Sequence, residues 1–307
     1  MVALPEVLHL YQNHTIDSTY WRHYVPRDDD VIVATSYKSG TTWMQHVLHE
    51  LIFLGQAIPE IWDVALWLDS RYHPIEEKIA KIEAQTHRRS IKTHLALDGL
   101  PYFEQVKYIV VGRDARDVFM SWWNHYSNFT DAHFERLAAV PNRVGAMLPR
   151  CPKDIHDYWR QWILQGWFEW EVEGYPVWGN MHHTQTWWNY RHLDNILFVH
   201  FNDLLADLEA EIQRVATFLD IPVTAAAVTA VAKAVRFDEI KRQATADPEA
   251  GTNVFKGGMA TFFHKGTNGR WRDVLSAEEV GMYEETAAKV LTPACKQWLE
   301  QGRIAWR

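Results

Sequence analysis

Lys38, Ser39, Gly40, Thr41 and Thr42 share one turn, between the β-branched run Val31-Ile32-Val33-Ala34-Thr35 and a helical pattern of Met44, Val47, Leu48, Leu51 and Ile52. Such a turn can hold an anion: the N–H groups at a helix start, with the helix dipole behind them, point at the charge, and a lysine neutralises it. Serine, glycine and threonine also act as plain capping residues in strand-to-helix turns; the enclosed lysine favours the cradle. The spacing is not that of a nucleotide triphosphatase loop, which needs Gly-x-x-x-x-Gly-Lys and then Ser or Thr, because here Lys38 precedes Gly40. Lys92, Thr93 and His94 close a second short run, placing a cation beside a candidate base. Taken alone, His94 is better explained as a hydrogen-bonded core histidine than as a catalyst. No acidic or histidine pair has metal-ligand spacing, and His182 and His183, being adjacent, do not share a helix face, so no metal is expected.

Elements must bring these groups together. Ser90–His94, Lys107–Gly112 and Ile196–Phe201 read as further strands, the second with a continuous apolar run, Tyr108 to Val111, suited to a sheet buried on both faces. Helical patterns fall near residues 41–54, 154–171, 182–191 and 208–219, and Ser276 with Glu279 forms a capping-box signature. Alternating strands and helices predict an α/β fold with a central, mainly parallel sheet, which places ligands at the carboxyl ends of its strands. Arg113 follows one such strand, and Ser121, Trp122, Trp123 and Tyr126 sit on the helix after it. A basic, glycine-bearing cluster runs from Phe262 to Arg272. Residues 1–307 are expected to form one domain, with mobile segments near 59–89, 129–152 and 245–272. The first is expected as a cap over the site or as ordinary surface helices. Residues 129–152 read as loop, and Asp28-Asp29-Asp30 as a solvated turn.

A net charge of −8 argues against a broad attraction to nucleic acid, so an anionic ligand needs a local basic pocket and the partner is expected to be a small molecule. Two cysteines, Cys151 and Cys295, and an N-terminal stretch unlike a secretory leader fit a reducing compartment, with the cytoplasm expected. No apolar run reaches the ~20 residues that cross a bilayer. The chain holds 16 Trp, 12 Tyr and 13 Phe, enough to line an apolar pocket as well as to pack a core.

From about Val31 to about Tyr283 the chain resembles the cytosolic-type sulfotransferases, which use 3′-phosphoadenosine 5′-phosphosulfate (PAPS). Residues 35–43 read Thr-Ser-Tyr-Lys-Ser-Gly-Thr-Thr-Trp, matching seven of nine positions of that family's Thr-Tyr-Pro-Lys-Ser-Gly-Thr-Thr-Trp signature. The resemblance implies a P-loop-like nucleotide-binding fold in which Lys38 to Thr42 hold the 5′-phosphosulfate and Trp43 stacks on adenine. It makes His94 the general base and Lys92 a neighbour of the sulfuryl group, and assigns the 3′-phosphate to Arg113 and Ser121. The family's Arg-Lys-Gly-x-x-Gly is met by Lys265, Gly266 and Gly269, with His264 in place of the arginine. Phe262, Phe263 and Phe237 complete the donor-binding set, Phe201 stands where the family has an adenine-contacting tyrosine, and Val235 replaces a Thr or Ser. The family's short dimerisation signature is lost over Arg272 to Gly281, which leaves the oligomeric state open. His183 falls ahead of Trp187 and Trp188, near a further family segment.

The resulting expectation is transfer of a sulfuryl group from PAPS, leaving 3′-phosphoadenosine 5′-phosphate (PAP), to a hydroxyl or amine of a small apolar acceptor, without a metal. Trp62, Trp67, Phe129, Phe134 and Met147 are the candidate acceptor-pocket residues. The competing expectations are a catalytically inactive nucleotide-binding protein and an ATP-dependent small-molecule kinase.

Overall fold

The computed structural model describes residues 3–56, 59–141 and 144–303; residues 142 and 143 of the 129–152 segment thus lie outside the description. Five strands, β1 (Val31–Thr35), β2 (Ala65–Trp67), β3 (Ser90–Thr93), β4 (Lys107–Gly112) and β5 (Ile196–His200), form one sheet in the order β2-β3-β1-β4-β5. Every pairing is parallel, with Val31 opposite both Ser90 and Lys107, Ala65 opposite Ser90, and Tyr108 opposite Ile196. The chain starts in the middle of the sheet, fills one side, then crosses to the other. The carboxyl ends of β1, β3 and β4 therefore meet at the point where strand order reverses, which is where open α/β sheets bind ligands.

The apolar runs are continuous because both faces are covered. Val31, Val33, Ile109, Val111 and Val199 face a core shared with Val47 and Leu48 of helix Thr41–Ile52, Ile212 and Val215 of helix Leu208–Phe218, and Val228 and Val231 of helix Ala225–Ala234. Ile32, Ala34, Tyr108 and Val110 face the opposite core, with Phe119 of helix Ala115–Ser127, Trp159 and Trp162 of helix Ile155–Leu164, and Trp187 of helix Asn180–Trp188. The two-residue period of the strands thus separates two cores. Much of the tryptophan count is spent on the second.

Three local readings differ from expectation. The 59–89 segment contributes edge strand β2 and helix Ile75–Glu83, whose Ile75 and Ile82 are buried; a three-residue strand gives no period to read. Helix Asp131–Ala138 forms within the expected loop at 129–152, because the Thr130 hydroxyl accepts from the His133 N–H and buries Phe134 and Leu137 beneath it. Asp30 is not solvated: its carboxylate accepts from Arg89 Nε at 2.7 Å and from the Tyr24 hydroxyl, and both Asp30 and Arg89 are fully buried. This pair ties the start of β1 to the start of β3. The Ser276–Glu279 capping box forms as read and starts helix Ala277–Val290.

Candidate active site

One cavity of about 330 Å³ opens at the carboxyl ends of the strands. Lys38, Gly40, Thr41, Thr42, Trp43, Lys92, His94, Arg113, Ser121, Phe201, Phe237, Phe262, Phe263, Lys265 and Gly266 all line it. Of the donor and catalytic residues expected from sequence, Ser39, Val235 and Gly269 do not; the buried Ser39 hydroxyl turns back toward the Tyr37 carbonyl at 3.5 Å.

After β1 the backbone turns through two left-handed residues, Lys38 at φ 59° and Gly40 at φ 110°, before helix Thr41–Ile52 begins. Gly40 is its N-cap and offers no side-chain cap, so the first N–H groups are left for an anion. A Cβ at Gly40 would also stand 3.1 Å from the Phe201 ring, so glycine meets both a conformational and a steric demand here. Thr41 Oγ1 shares a hydrogen bond with Thr35 Oγ1 at 2.5 Å, pinning the helix start to the end of β1.

His94 Nδ1 lies 2.7 Å from the Thr35 carbonyl oxygen. A carbonyl only accepts, so Nδ1 carries the proton and Nε2 keeps its lone pair. Burial, then the neighbouring Lys92 ammonium, hold the imidazole well below its ordinary pKa, so it remains a neutral base at neutral pH. Its ring sits against Trp67 (4.8 Å, edge-on) and Trp178 (5.6 Å). Lys92 Nζ lies 4.3 Å from the Trp67 ring centre, and burial pushes it down to about 8. Lys38 is pushed down to about 7 by burial, then by Arg113 and Lys92. Its ammonium donates to His125 Nδ1 at 3.2 Å and lies 4.6 Å from the Phe262 ring centre. Among the described residues, neither lysine has a carboxylate within ion-pair distance.

Arg113 is 4% exposed and joins three segments: NH1 donates to the Lys38 carbonyl (3.1 Å), NH2 to the Thr267 carbonyl (3.0 Å) and Nε to Asn268 Oδ1 (2.8 Å). Its guanidinium lies over the Phe201 ring at 4.2 Å. Trp43 meets Phe201 edge-on at 5.4 Å and donates from Nε1 to the Val235 carbonyl at 2.8 Å, so Val235 contributes backbone where the resemblance implies a hydroxyl. The Phe262–Arg272 cluster is partly ordered as helix Gly258–Phe262 and a helical turn at Arg270–Asp273. It is tied down where the Gly269 N–H donates to Asp117 at 2.7 Å. His264 lines the cavity and accepts from Arg270 NH1 at 3.3 Å, and the buried Arg270 Nε has no partner among the described residues.

Of the acceptor-pocket candidates, Trp67 and Phe129 line the cavity, while Phe134 and Met147 pack behind it and Trp62 is 53% exposed on the surface. Leu148, a further pocket candidate of the 129–152 segment, lines it as well, and so do Tyr37, Tyr72, Trp122, His125, His133, Arg136, Trp178 and Phe255, which the sequence does not single out for it. His125 had a signal: it stands one helical turn after Ser121, on the same face. His183 is buried outside the lining, close enough to His94 to affect its charge.

A sulfotransferase domain model matches residues 28–294. The chain belongs to the sulfotransferase family. A glycolipid sulfotransferase of Mycobacterium bovis is 31% identical over 309 residues, covering 96% of this chain and 94% of that protein. Sulfotransferase 1A1 of Rattus norvegicus is 24% identical over 273 residues, covering 86% and 85%. Among solved structures, mouse sulfotransferase SULT7A1 complexed with PAP gives a TM-score of 0.65 at 20% identity, covering 92% of this chain and 90% of that one. Retinol dehydratase in complex with androsterone and the inactive cofactor PAP gives 0.69 at 21% identity, covering 91% and 87%. These last two likenesses establish the sulfotransferase fold, with its parallel sheet flanked by helices. Among the described residues no group of His, Cys, Asp and Glu could hold a metal ion, and no helix is long and apolar enough to cross a membrane.

Proposed function

We propose that this sulfotransferase moves a sulfuryl group from PAPS to a hydroxyl or amine of a small, largely apolar acceptor. The observation that carries the reading is the meeting, in one cavity, of two lysines that, among the described residues, have no carboxylate within ion-pair distance and a histidine whose free Nε2 is fixed by the Thr35 carbonyl. Bound there, PAPS would supply an activated sulfuryl group and a phosphate leaving group.

The residues present fit such a donor. The uncapped helix start and Lys38 suit the 5′ end, and Trp43, Phe201, Phe237 and Phe263 offer ring surfaces for adenine. A Cβ at Gly266 would stand 2.8 Å from the Phe237 ring, so backbone and ring pack directly there. Arg113, Ser121 and Lys265 remain for the 3′-phosphate. Arg270 joins them: it brings to the cavity a guanidinium of the kind that the resemblance implies at His264, and its unpartnered Nε is a donor awaiting an acceptor.

His94 Nε2 removes the acceptor proton as the oxygen or nitrogen attacks, a contribution of typically ~10²–10⁴ in rate. Lys38 and the helix-start amides offset negative charge on the departing phosphate; one such donor is commonly worth about 2.7–4 kcal/mol of barrier. Lys92 steadies the sulfuryl oxygens. The ring walls exclude water, which strengthens each of these charges.

His94, held as a neutral base, argues against an inactive nucleotide binder. Lys38 placed before Gly40 argues against an ATP-dependent kinase. A cytoplasmic location fits two free cysteines that burial keeps protonated. The test is transfer of label from PAPS to alcohols, phenols and amines by the wild type and by His94→Ala; wild-type transfer lost in the variant supports the reading, and equal rates would remove His94 from the base role.

A further inference from the structure

The acceptor half of the cavity is walled by rings and aliphatic groups, yet it holds a polar side chain that no described residue hydrogen-bonds. His133 is 2% exposed, lines the cavity, and neither ring nitrogen has a hydrogen-bond partner among the described residues. The Thr130 hydroxyl accepts from its backbone N–H, and its ring lies 4.1 Å from that of Phe129, so both backbone and ring are held. A buried polar group left unpaired is costly, and an imidazole has two. Burial, then Arg136, push its pKa down to about 4, so it is neutral and offers one N–H donor and one lone pair, the pair of functions that a hydroxyl complements.

His133 is also set apart from the reacting centre. A chain of ring contacts runs from His94 to Trp67 at 4.8 Å, from Trp67 to Tyr72 at 5.7 Å, and from Tyr72 to His133 at 6.2 Å. On the other wall Lys38 contacts His125, His125 meets Phe129 at 5.1 Å, and the Phe129 ring lies tilted against that of His133. An acceptor filling this space meets a base at one end, apolar rings along its length and an imidazole at the other. The Trp178 indole N–H, also in the lining and also without a hydrogen-bond partner among the described residues, adds a donor beside His94. Arg136, one turn beyond His133, lies 5.1 Å from the Tyr72 ring centre and lines the same space, so that end of the cavity is polar.

We propose that His133 is a specificity residue that hydrogen-bonds a second hydroxyl of the acceptor, so that the natural substrate is a molecule with two hydroxyls separated by an apolar segment. The proposal rests on the sulfotransferase reading above, which places the reacting hydroxyl at His94. A mono-alcohol would leave the imidazole unpaired, and a site built to bond a hydroxyl rejects an analogue that lacks it.

The test compares n-alkanols with α,ω-alkanediols of matched, graded chain length. Wild-type protein is expected to favour the diol over its alkanol by about tenfold in kcat/KM at the length that spans the cavity, the worth of one hydrogen bond together with relief of its unpaired partner. His133→Phe keeps a ring against Phe129 but has no nitrogen, and should bring the two acceptors level. His133→Asn, which keeps a donor and an acceptor, should restore part of the preference. PAP affinity by calorimetry should be the same in all three proteins. Binding of each acceptor to the protein with and without PAP, followed by tryptophan fluorescence, gives the same comparison without turnover. A wild type without diol preference in binding and turnover, a preference that survives in His133→Phe, or equal loss for both acceptors would overturn the assignment. Failure to bind PAP would instead overturn the sulfotransfer reading, and a diol preference in fluorescence would still support His133.

Discussion

Raising the pH should cost this protein its donor affinity well before any lysine with an ordinary pKa would deprotonate. In the free site, burial, Arg113 and Lys92 push Lys38 down to about 7, against 10.5 for an unperturbed lysine. A phosphate dianion placed beside it favours the charged form and draws the pKa back up, so the complex takes up a proton. A lysine lowered in the free protein and raised in the complex gives full affinity below its free pKa and loses it as pH rises through that value. With a free pKa of about 7, about half of the sites carry a charged Lys38 near pH 7 and about a tenth near pH 8. The PAP affinity should then fall about tenfold per pH unit above 7, and more steeply above 8, where Lys92, pushed down to about 8, joins it.

Calorimetric titration with PAP, repeated in buffers of different ionisation enthalpy, reads this directly. Net uptake should be about half a proton near pH 7 and more than one by about pH 8. Lys38→Met should abolish the first part and leave an uptake centred near Lys92's value. An affinity that stays flat between pH 7 and 9, with no proton uptake, would refute the claim that these lysines are held partly neutral for want of an anion.

Three substitutions extend the account. His94→Ala should lower kcat by ~10²–10⁴ while calorimetry finds PAP affinity nearly unchanged; weakened PAP binding with intact kcat would make His94 a donor-site residue instead. Arg113→Ala removes a buried guanidinium and its bonds to the Lys38 carbonyl, the Thr267 carbonyl and Asn268, and should weaken PAP binding by about 1.5–3 kcal/mol, read by calorimetry. A change in kcat at saturating PAPS with unaltered PAP affinity would contradict that placement. Gly266→Ala forces a Cβ to 2.8 Å from the Phe237 ring at a φ of +65° and should cost roughly 1–3 kcal/mol in donor affinity, measured by fluorescence titration with PAP; wild-type affinity would show that this contact does not shape the site.

The donor half of the site was legible because its chemistry is local. Lys38 to Trp43, Lys92 to His94, and Arg113 with Ser121 each occupy a strand end and the residues just after it, and the parallel sheet brings those ends together. Continuous runs such as Val31–Thr35 and Tyr108–Val111 announced strands buried on both faces, whereas β2 has three residues and takes its place from pairing with β3. The acceptor half was mostly hidden. Tyr72, Trp178 and the His133–Arg136 pair of one helix come from three segments far apart in the chain, and no spacing links the three. Trp62, Phe134 and Met147 are candidates because they lie in segments that the resembling family uses for substrate, yet exposure takes one to the surface and packing holds the other two behind the wall. Asp30 read as solvent-facing because an acidic triplet carries no sign of the buried Arg89 waiting across the sheet.

The central claim is chemical and one experiment meets it. Incubated with PAPS labelled in the sulfuryl group and a panel of alcohols, phenols and amines, with ATP run in parallel, the protein should release PAP and a labelled sulfate ester or sulfamate, and ATP should yield no phosphorylated acceptor. PAP binding without transfer to any acceptor, or phosphoryl transfer from ATP, would contradict it.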